Sequence, residues 1–126
     1  MSISSFQFHE MQARLAQNAK RTPEIGAGEP VADELPLHRD IMAYCDRQNP
    51  RWLYIHHRTD KRSGIQKGAP DFFVLLPGKR VAIIECKKKD GKRSTDQTTW
   101  AYEASLLGHG CFLVRSMDDF LAVINT

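Results

Sequence analysis

The sequence is poor in cysteine and in long apolar runs. Its three cysteines, Cys45, Cys86 and Cys111, include no C-x-x-C pair, so the spacing indicates neither a closed disulfide set nor a zinc site of that type. No apolar run approaches the roughly 18 residues of a membrane span. Residues 1–10 lack the charged and apolar regions of a secretory signal. We therefore expect buried free thiols, a cytoplasmic location and no membrane partner.

The chain does have the composition of one ordinary globular domain. It contains 126 residues, of which 41% are hydrophobic and 26% charged, and it shows no repeat or low-complexity tract. Two prolines and two glycines fall within residues 21–30, which predicts a linker over residues 22–31. Residues 1–21 are then an N-terminal helix or a partly ordered tail, and residues 32–126 form the main domain.

The net charge of +3 hides an uneven distribution along the chain. Residues 51–93 contain twelve basic and four acidic residues, a balance of +8. The remaining residues contain six basic and eleven acidic ones, a balance of −5. A concentrated basic segment of this kind is typical of a surface that binds a polyanion such as nucleic acid.

The hydrophobic patterns predict an α/β fold with the element order αβββαβα, in which helices flank a mixed sheet. The first helix is capped by Asp33 and ends before residue 49. A second helix begins at Ser94 and turns Trp100, Ala104 and Leu107 inward. The strands and the last helix are predicted over residues 52–57, 71–76, 80–87, 111–115 and 117–124. The second and third strands are almost continuously apolar, which predicts that both sheet faces are covered.

Three charged residues interrupt these two apolar strands: Asp71, Glu85 and Lys87. A three-residue hairpin loop over residues 77–79 pairs each position with the one that brings their sum to 156, so Asp71 lies opposite Glu85 and Lys87 shares their face. A two-residue turn would place the two acids on opposite faces. Cross-strand neighbours have Cβ atoms roughly 5 Å apart, and two carboxylates at that distance share a proton or bind a cation. Oxygen ligands favour Mg²⁺ or Mn²⁺, and the backbone carbonyl of Cys86 is a further candidate ligand.

The motif Pro70-Asp71 followed by Glu85-Cys86-Lys87 resembles that of PD-(D/E)XK nucleases, and the αβββαβ order resembles their restriction-endonuclease-like core. Gly68-x-Pro70-Asp71, a downstream Gln97 and the Gly-His-Gly at residues 108–110 narrow the resemblance to VRR-NUC domains. It covers roughly residues 34–124. The resemblance implies a metal-dependent DNA endonuclease, and its small stand-alone members suggest a homodimer that acts on branched, Holliday-junction-like DNA.

By the same resemblance, Asp71 and Glu85 are metal ligands, Lys87 orients the attacking water and stabilises charge on the phosphate, and Gln97 reaches the active site. Glu34 corresponds to the family's acidic residue on the first helix, which contacts the metal or its water. Alternatives remain for each: a structural salt bridge for Lys87, a Ser94-x-x-Gln97 capping box, and a favourable charge at a helix N-terminus for Glu34.

Basic residues on both sides of these motifs are predicted to bind phosphates. They are Arg58, Lys61, Arg62, Lys67, Lys88, Lys89, Lys92 and Arg93. Two other functions compete with the nuclease hypothesis. One is a non-catalytic nucleic-acid-binding module on the same fold. The other is a different metal-dependent hydrolase centred on Glu34 and His38, which lie one helical turn apart.

Overall fold

The helices and strands follow one another in the predicted order αβββαβα. The protein is represented by a computed structural model, which describes Gln7 and residues 24–57 and 66–126. Its elements are α1 (Glu34–Asp46), β1 (Tyr54–His56), β2 (Phe72–Leu76), β3 (Arg80–Cys86), α2 (Thr95–Leu106), β4 (Cys111–Val114) and α3 (Met117–Ile124). The sheet has the order β1-β2-β3-β4, with β1, β2 and β3 antiparallel and β4 parallel to β3. The mixed sheet and the α/β class are thereby confirmed.

The register between β2 and β3 is the one that the three-residue loop predicts. Leu76 pairs with Arg80 and Phe72 pairs with Ile84. Gly78 and Lys79 close the hairpin with φ values of 76° and 63°, in the left-handed region. Continued by one residue, this register brings Asp71 across from Glu85, so both carboxylates belong to the same end of the sheet.

One face of the sheet carries the hydrophobic core. Alternate residues of β2 and β3 point to this face, as the two-residue period of a strand requires. They pack against α1 and α3, which contribute an apolar stripe each. The buried residues at this contact include Phe72, Val74, Ile84, Leu37, Ile41 and Phe120. α1 therefore sits over the same strands that carry Asp71 and Glu85 at their ends.

Among the described residues the opposite face is covered only in part, so the prediction that both faces are covered holds in full for one face only. Trp100 of α2 packs edge-on against Phe73, with ring centroids 6.0 Å apart. Leu75 and Val81 remain 50% and 54% exposed. A helix is about 10 Å wide, whereas four strands at about 4.8 Å spacing are wider than that. Leu107, predicted to face inward, follows the last residue of α2 and is largely exposed.

The described part of the predicted linker lies against the main domain. Arg115 donates two hydrogen bonds to the carboxylate of Glu24, each 2.9 Å long. The Val31 N–H donates to the Arg115 carbonyl at 2.7 Å, and the Ala27 N–H donates to buried Asp119 at 2.8 Å. These contacts fix the approach of the chain to α1. Within the described residues, no helix has both the length and the apolar character needed to cross a membrane.

Candidate active site

Asp71 lies at the end of the loop that leads into β2, and neighbouring strands hold it on both sides. Its Oδ2 accepts a hydrogen bond from the Cys86 N–H at 2.7 Å, and its backbone carbonyl accepts one from the His57 N–H at 2.7 Å. The residue is only 6% exposed. Burial raises the pKa of Asp71 to about 6, against the opposing effect of the Cys86 hydrogen bond, and the nearby Glu34 carboxylate raises it further. The protein thus holds an acid where its negative charge is unfavourable.

Glu85 is even more deeply buried, at the end of β3. Its Oε2 accepts a hydrogen bond from Arg93 Nε at 2.6 Å. Its Oε1 is buried and has no hydrogen-bond partner in the described part of the chain. Burial raises the pKa of Glu85, although the Arg93 hydrogen bond and charge oppose this. A buried carboxylate oxygen without a partner is costly, and a cation is one group that satisfies it.

Lys87 and Glu34 add opposite charges to the same place. Lys87 directly follows β3, where its backbone N–H donates to the Val114 carbonyl at 3.0 Å. The charge of Lys87 lowers the pKa of Asp71 and of Glu85, so its ammonium group acts on both carboxylates. Within the described residues the ion pair of Glu85 is with Arg93, not Lys87. Glu34 begins α1 and its charge raises the pKa of Asp71, so this residue lies both at a helix N-terminus and near Asp71.

Gln97 lies in the first turn of α2 and takes part in the capping box that its spacing from Ser94 predicts. Ser94 Oγ accepts the Gln97 N–H at 3.1 Å, and Gln97 Oε1 accepts the Ser94 N–H at 2.8 Å. The side-chain oxygen therefore caps the helix. The amide nitrogen is the donor that this side chain can offer to a phosphate oxygen or a water.

The predicted phosphate-binding residues have different surroundings. Arg93 points inward, because its Nε donates to Glu85 and its Nη2 donates to the Cys111 carbonyl at 2.8 Å. This placement makes Arg93 a partner of Glu85. The exposed lysines near the end of the sheet are Lys67, Lys88, Lys89 and Lys92. Arg58, Lys61 and Arg62 lie outside the described residues.

Two histidines that the sequence patterns did not connect meet beside Asp71. His38 Nδ1 lies 2.8 Å from His56 Nε2, and His38 Nε2 lies 3.8 Å from Asp71 Oδ2. Burial lowers the pKa of His38, so we treat the contact with Asp71 as one between a neutral ring and a carboxylate rather than as an ion pair. α1 and β1 bring the two rings together only when α1 packs on the core face. No local spacing reports such a contact, although His38 shares a helix face with Glu34.

The oxygen donors at this end of the sheet fit a hard divalent cation. Asp71 and Glu85 supply two carboxylates on neighbouring strands, and Glu85 Oε1 has no other partner among the described residues. Such ligands suit Mg²⁺ or Mn²⁺. The residues that would hold the ion are Asp71 and Glu85, with Glu34 and the Cys86 carbonyl as further oxygen donors.

Comparisons with protein-family models, with curated proteins and with solved structures give no match for this chain. The interpretation of the site therefore depends on its own geometry and on the motifs of the sequence.

Proposed function

We propose that the protein is a divalent-metal-dependent DNA endonuclease that hydrolyses phosphodiester bonds. One observation carries the proposal: Asp71 and Glu85 are two buried carboxylates at the same end of neighbouring strands. Glu85 has a buried oxygen without a partner in the described residues, and the charge of Lys87 lowers the pKa of both acids. Burial of two carboxylates lowers the stability of a folded protein unless their charges are paired. Their retention is typical of a site that binds a cation, and lysine beside it suits a reaction that accumulates negative charge on phosphate.

Each residue of the site has a defined part in this proposal. Asp71 and Glu85 hold the cation, and Arg93 fixes the orientation of Glu85. A bound Mg²⁺ or Mn²⁺ supplies polarisation of the phosphoryl oxygen and a lowered pKa for water. The Lys87 ammonium orients the attacking water and stabilises charge on the scissile phosphate. The Gln97 amide nitrogen positions the water or a phosphate oxygen from the first turn of α2.

Exposed lysines near the site support a nucleic-acid substrate. Lys88, Lys89 and Lys92 follow β3 directly, and Lys67 precedes the loop that carries Asp71. Each phosphate that a lysine neutralises releases counterions, which favours binding of a polyanion. Lysines at these positions support a mode of binding in which the DNA backbone reaches the two carboxylates.

The sequence motifs support a narrower assignment. The element order αβββαβα and the β2–β3 register, which places Asp71 across from Glu85, agree with the resemblance to a restriction-endonuclease-like core of VRR-NUC type. By this resemblance the substrate is branched DNA of the Holliday-junction kind. Symmetrical cutting of two strands requires two active sites, so we propose a homodimer. We also propose a cytoplasmic location, where the three free cysteines would stay reduced.

The decisive experiment is cleavage of a DNA panel by the purified protein with Mg²⁺ or Mn²⁺. The panel contains linear duplex, single-stranded, flap and four-way DNA, and the mass of the protein in solution is measured alongside. We expect cleavage to require the metal. Asp71→Asn and Glu85→Gln, which keep side-chain size, are expected to lower the rate at least about a hundredfold.

Asp46→Asn is the matched control, because Asp46 is an exposed acid paired with Arg51 at the end of α1. It should leave cleavage unchanged. Undiminished cleavage by both site variants would refute the assignment of the carboxylates. Salt-sensitive DNA binding with no cleavage in any metal would instead indicate a binding module. Cutting of linear duplex alone by a monomer would exclude the branched-DNA substrate.

A further inference from the structure

Three side chains of different chemistry converge on the core side of the proposed active site. His38 comes from α1, Asp71 from the start of β2 and Cys86 from the end of β3. One ligand atom from each of them lies within 4.8 Å of the other two. Glu34 and Glu85 do not belong to this group. Nitrogen, oxygen and sulfur donors are thus brought together in a group that shares Asp71 with the all-oxygen set proposed for Mg²⁺.

The imidazole of His38 is oriented as a metal ligand is. Its Nδ1 lies 2.8 Å from His56 Nε2, and His56 stacks on Phe72 with ring centroids 4.5 Å apart. Metal-binding histidines are commonly held in this way through the ring nitrogen that faces away from the ion. The other nitrogen, Nε2, faces Asp71 Oδ2 at 3.8 Å, which is too long for a hydrogen bond.

The spacing of the donors suits a small four-coordinate ion. With metal–ligand bonds of about 2.0–2.3 Å, tetrahedral ligand atoms are separated by roughly 3.3–3.8 Å. The 3.8 Å between His38 Nε2 and Asp71 Oδ2 is at the upper end of that range, and all three ligand atoms lie within 4.8 Å of one another. Rotation of the side chains has to shorten the longest separation by at most about 1 Å. The Cys86 N–H, which donates to Asp71 Oδ2 at 2.7 Å, already fixes the carboxylate next to the thiol of the same residue.

We infer that His38, Asp71 and Cys86 form a second metal site, which binds a borderline divalent cation such as Zn²⁺ or Co²⁺. Sulfur and imidazole ligands favour such ions over Mg²⁺, and three protein ligands leave one position for water. Asp71 belongs to both ligand sets, so the two metals compete for it. The consequence for catalysis rests on the proposed nuclease function: Zn²⁺ at this site displaces the Mg²⁺ that supports cleavage.

The site itself is tested by titrating the metal-free full-length protein with Co²⁺ and recording its absorption spectrum. A cobalt–thiolate bond gives a charge-transfer band in the near ultraviolet, and we expect this band together with the visible bands of a four-coordinate ion. Cys86→Ser should abolish the charge-transfer band. His38→Gln should weaken Co²⁺ binding at least tenfold, and His56→Phe should weaken it roughly tenfold to a hundredfold.

Cys45→Ser is the matched control, because Cys45 is as fully buried as Cys86 but lies outside the cluster. It should keep the band. A wild-type protein without a thiolate band would overturn the inference, as would a band that survives in Cys86→Ser. His38→Gln changes a side chain that is 12% exposed, whereas Cys86 is fully buried, so it provides a readout even if the cysteine variant folds poorly.

The competition is tested by adding Zn²⁺ to the Mg²⁺-dependent cleavage reaction. Zn²⁺ should inhibit, and an increase in Mg²⁺ should relieve the inhibition. Inhibition that Mg²⁺ does not relieve would contradict the shared ligand. The cobalt spectrum does not depend on cleavage, so failure of the nuclease proposal and failure of the metal site are observed separately.

Discussion

At the scale of one residue, Asp71 is a proposed ligand whose charged form lowers the stability of the metal-free protein. The carboxylate is almost completely buried, and its hydrogen bond with the Cys86 N–H offsets only part of the cost of burial. Glu85 differs, because Arg93 neutralises it across a 2.6 Å contact. Burial raises the pKa of Glu85 as well, so the charge of both acids is unfavourable in the metal-free site, and Glu85 has the direct cation partner that Asp71 lacks among the described residues.

Asp71→Asn is expected to stabilise the metal-free protein near pH 7 by at most about 3 kcal/mol. The reason is that burial raises the pKa of Asp71 from 3.8 to about 6, and each pH unit corresponds to about 1.4 kcal/mol. The folded state binds the proton more tightly than the unfolded chain. The contribution of Asp71 is therefore fully favourable below pH 3.8 and is lost as the pH rises through about 6.

Urea unfolding of the wild type and of Asp71→Asn across this pH range measures the effect. The stability difference between the two should grow with pH and level off above about 7. Mg²⁺ should stabilise the wild type much more than the variant, because only the wild type has both charged ligands, Asp71 and Glu85. A difference that stays constant with pH would show that Asp71 ionises normally. Asp46→Asn, at an exposed ion pair, should change stability by less than about 1 kcal/mol at any pH in the range.

At the scale of elements, the loop that carries Asp71 is anchored by one close contact with α2. Gly68 has a φ of +80°, and a Cβ at this position would collide with the Asp96 carbonyl and lie 2.8 Å from the Gln97 nitrogen. The glycine of the Gly68-x-Pro70-Asp71 motif is thus required by the approach of two backbones. It connects the position of Asp71 to the N-terminus of α2, where Gln97 lies.

Gly68→Ala should therefore destabilise the protein by more than the strain of a left-handed alanine, which is about 1–2 kcal/mol. Gly78→Ala is the matched control, because Gly78 has a φ of +76° with no atom within 4 Å of the added Cβ. Its cost should be the strain alone. Gly68→Ala should also impair cleavage, since it displaces the loop that holds Asp71, whereas Gly78 lies at the far end of β2. Equal losses of stability in urea would show that the Asp96 contact is unimportant.

Gln97→Glu separates the two roles of the side chain at the start of α2. Glutamate at this position preserves the capping box with Ser94, so the free energy of unfolding should change by less than about 0.5 kcal/mol. It removes the amide nitrogen and adds a negative charge near the phosphate. We expect cleavage to fall at least roughly tenfold. Full cleavage with an intact cap would mean that Gln97 is a capping residue only.

The sequence was most informative where local chemistry determines geometry. A three-residue turn with Gly78 fixed the register, and the register brought Asp71 and Glu85 to one end of the sheet. The ion pair of Arg93 with Glu85 was not predicted, because a run of basic residues does not indicate which of its side chains contacts a buried acid. The contact between His38 and His56 was also not predicted, since it depends on how α1 packs across β1. Both contacts depend on tertiary packing, which the spacing of residues along the sequence does not indicate.

At the scale of the whole molecule, exposed basic residues lie at the end of the sheet that holds the two carboxylates. Lys88, Lys89 and Lys92 lie next to the end of the sheet that holds the carboxylates. Lys79 lies in the hairpin at the other end of β2 and β3, roughly 17 Å away along five strand residues. The acids of α3, Asp118 and Asp119, occupy its first turn, where they favour the helix N-terminus. The basic residues that follow β3 are thus concentrated where DNA would meet the carboxylates.

The salt dependence of DNA binding tests whether the lysines that follow β3 contact the phosphates. Binding of Asp71→Asn protein to fluorescent four-way DNA is followed by anisotropy without metal, so that no strand is cut. Each of Lys88→Ala, Lys89→Ala and Lys92→Ala should reduce the slope of log K against log salt by about 0.9, the value for one phosphate contact on duplex DNA. Lys79→Ala removes the same charge from the far end and should leave the slope unchanged. If it reduced the slope equally, DNA would be attracted by net charge alone, whereas a reduction confined to the lysines after β3 would place the phosphate backbone across Asp71 and Glu85.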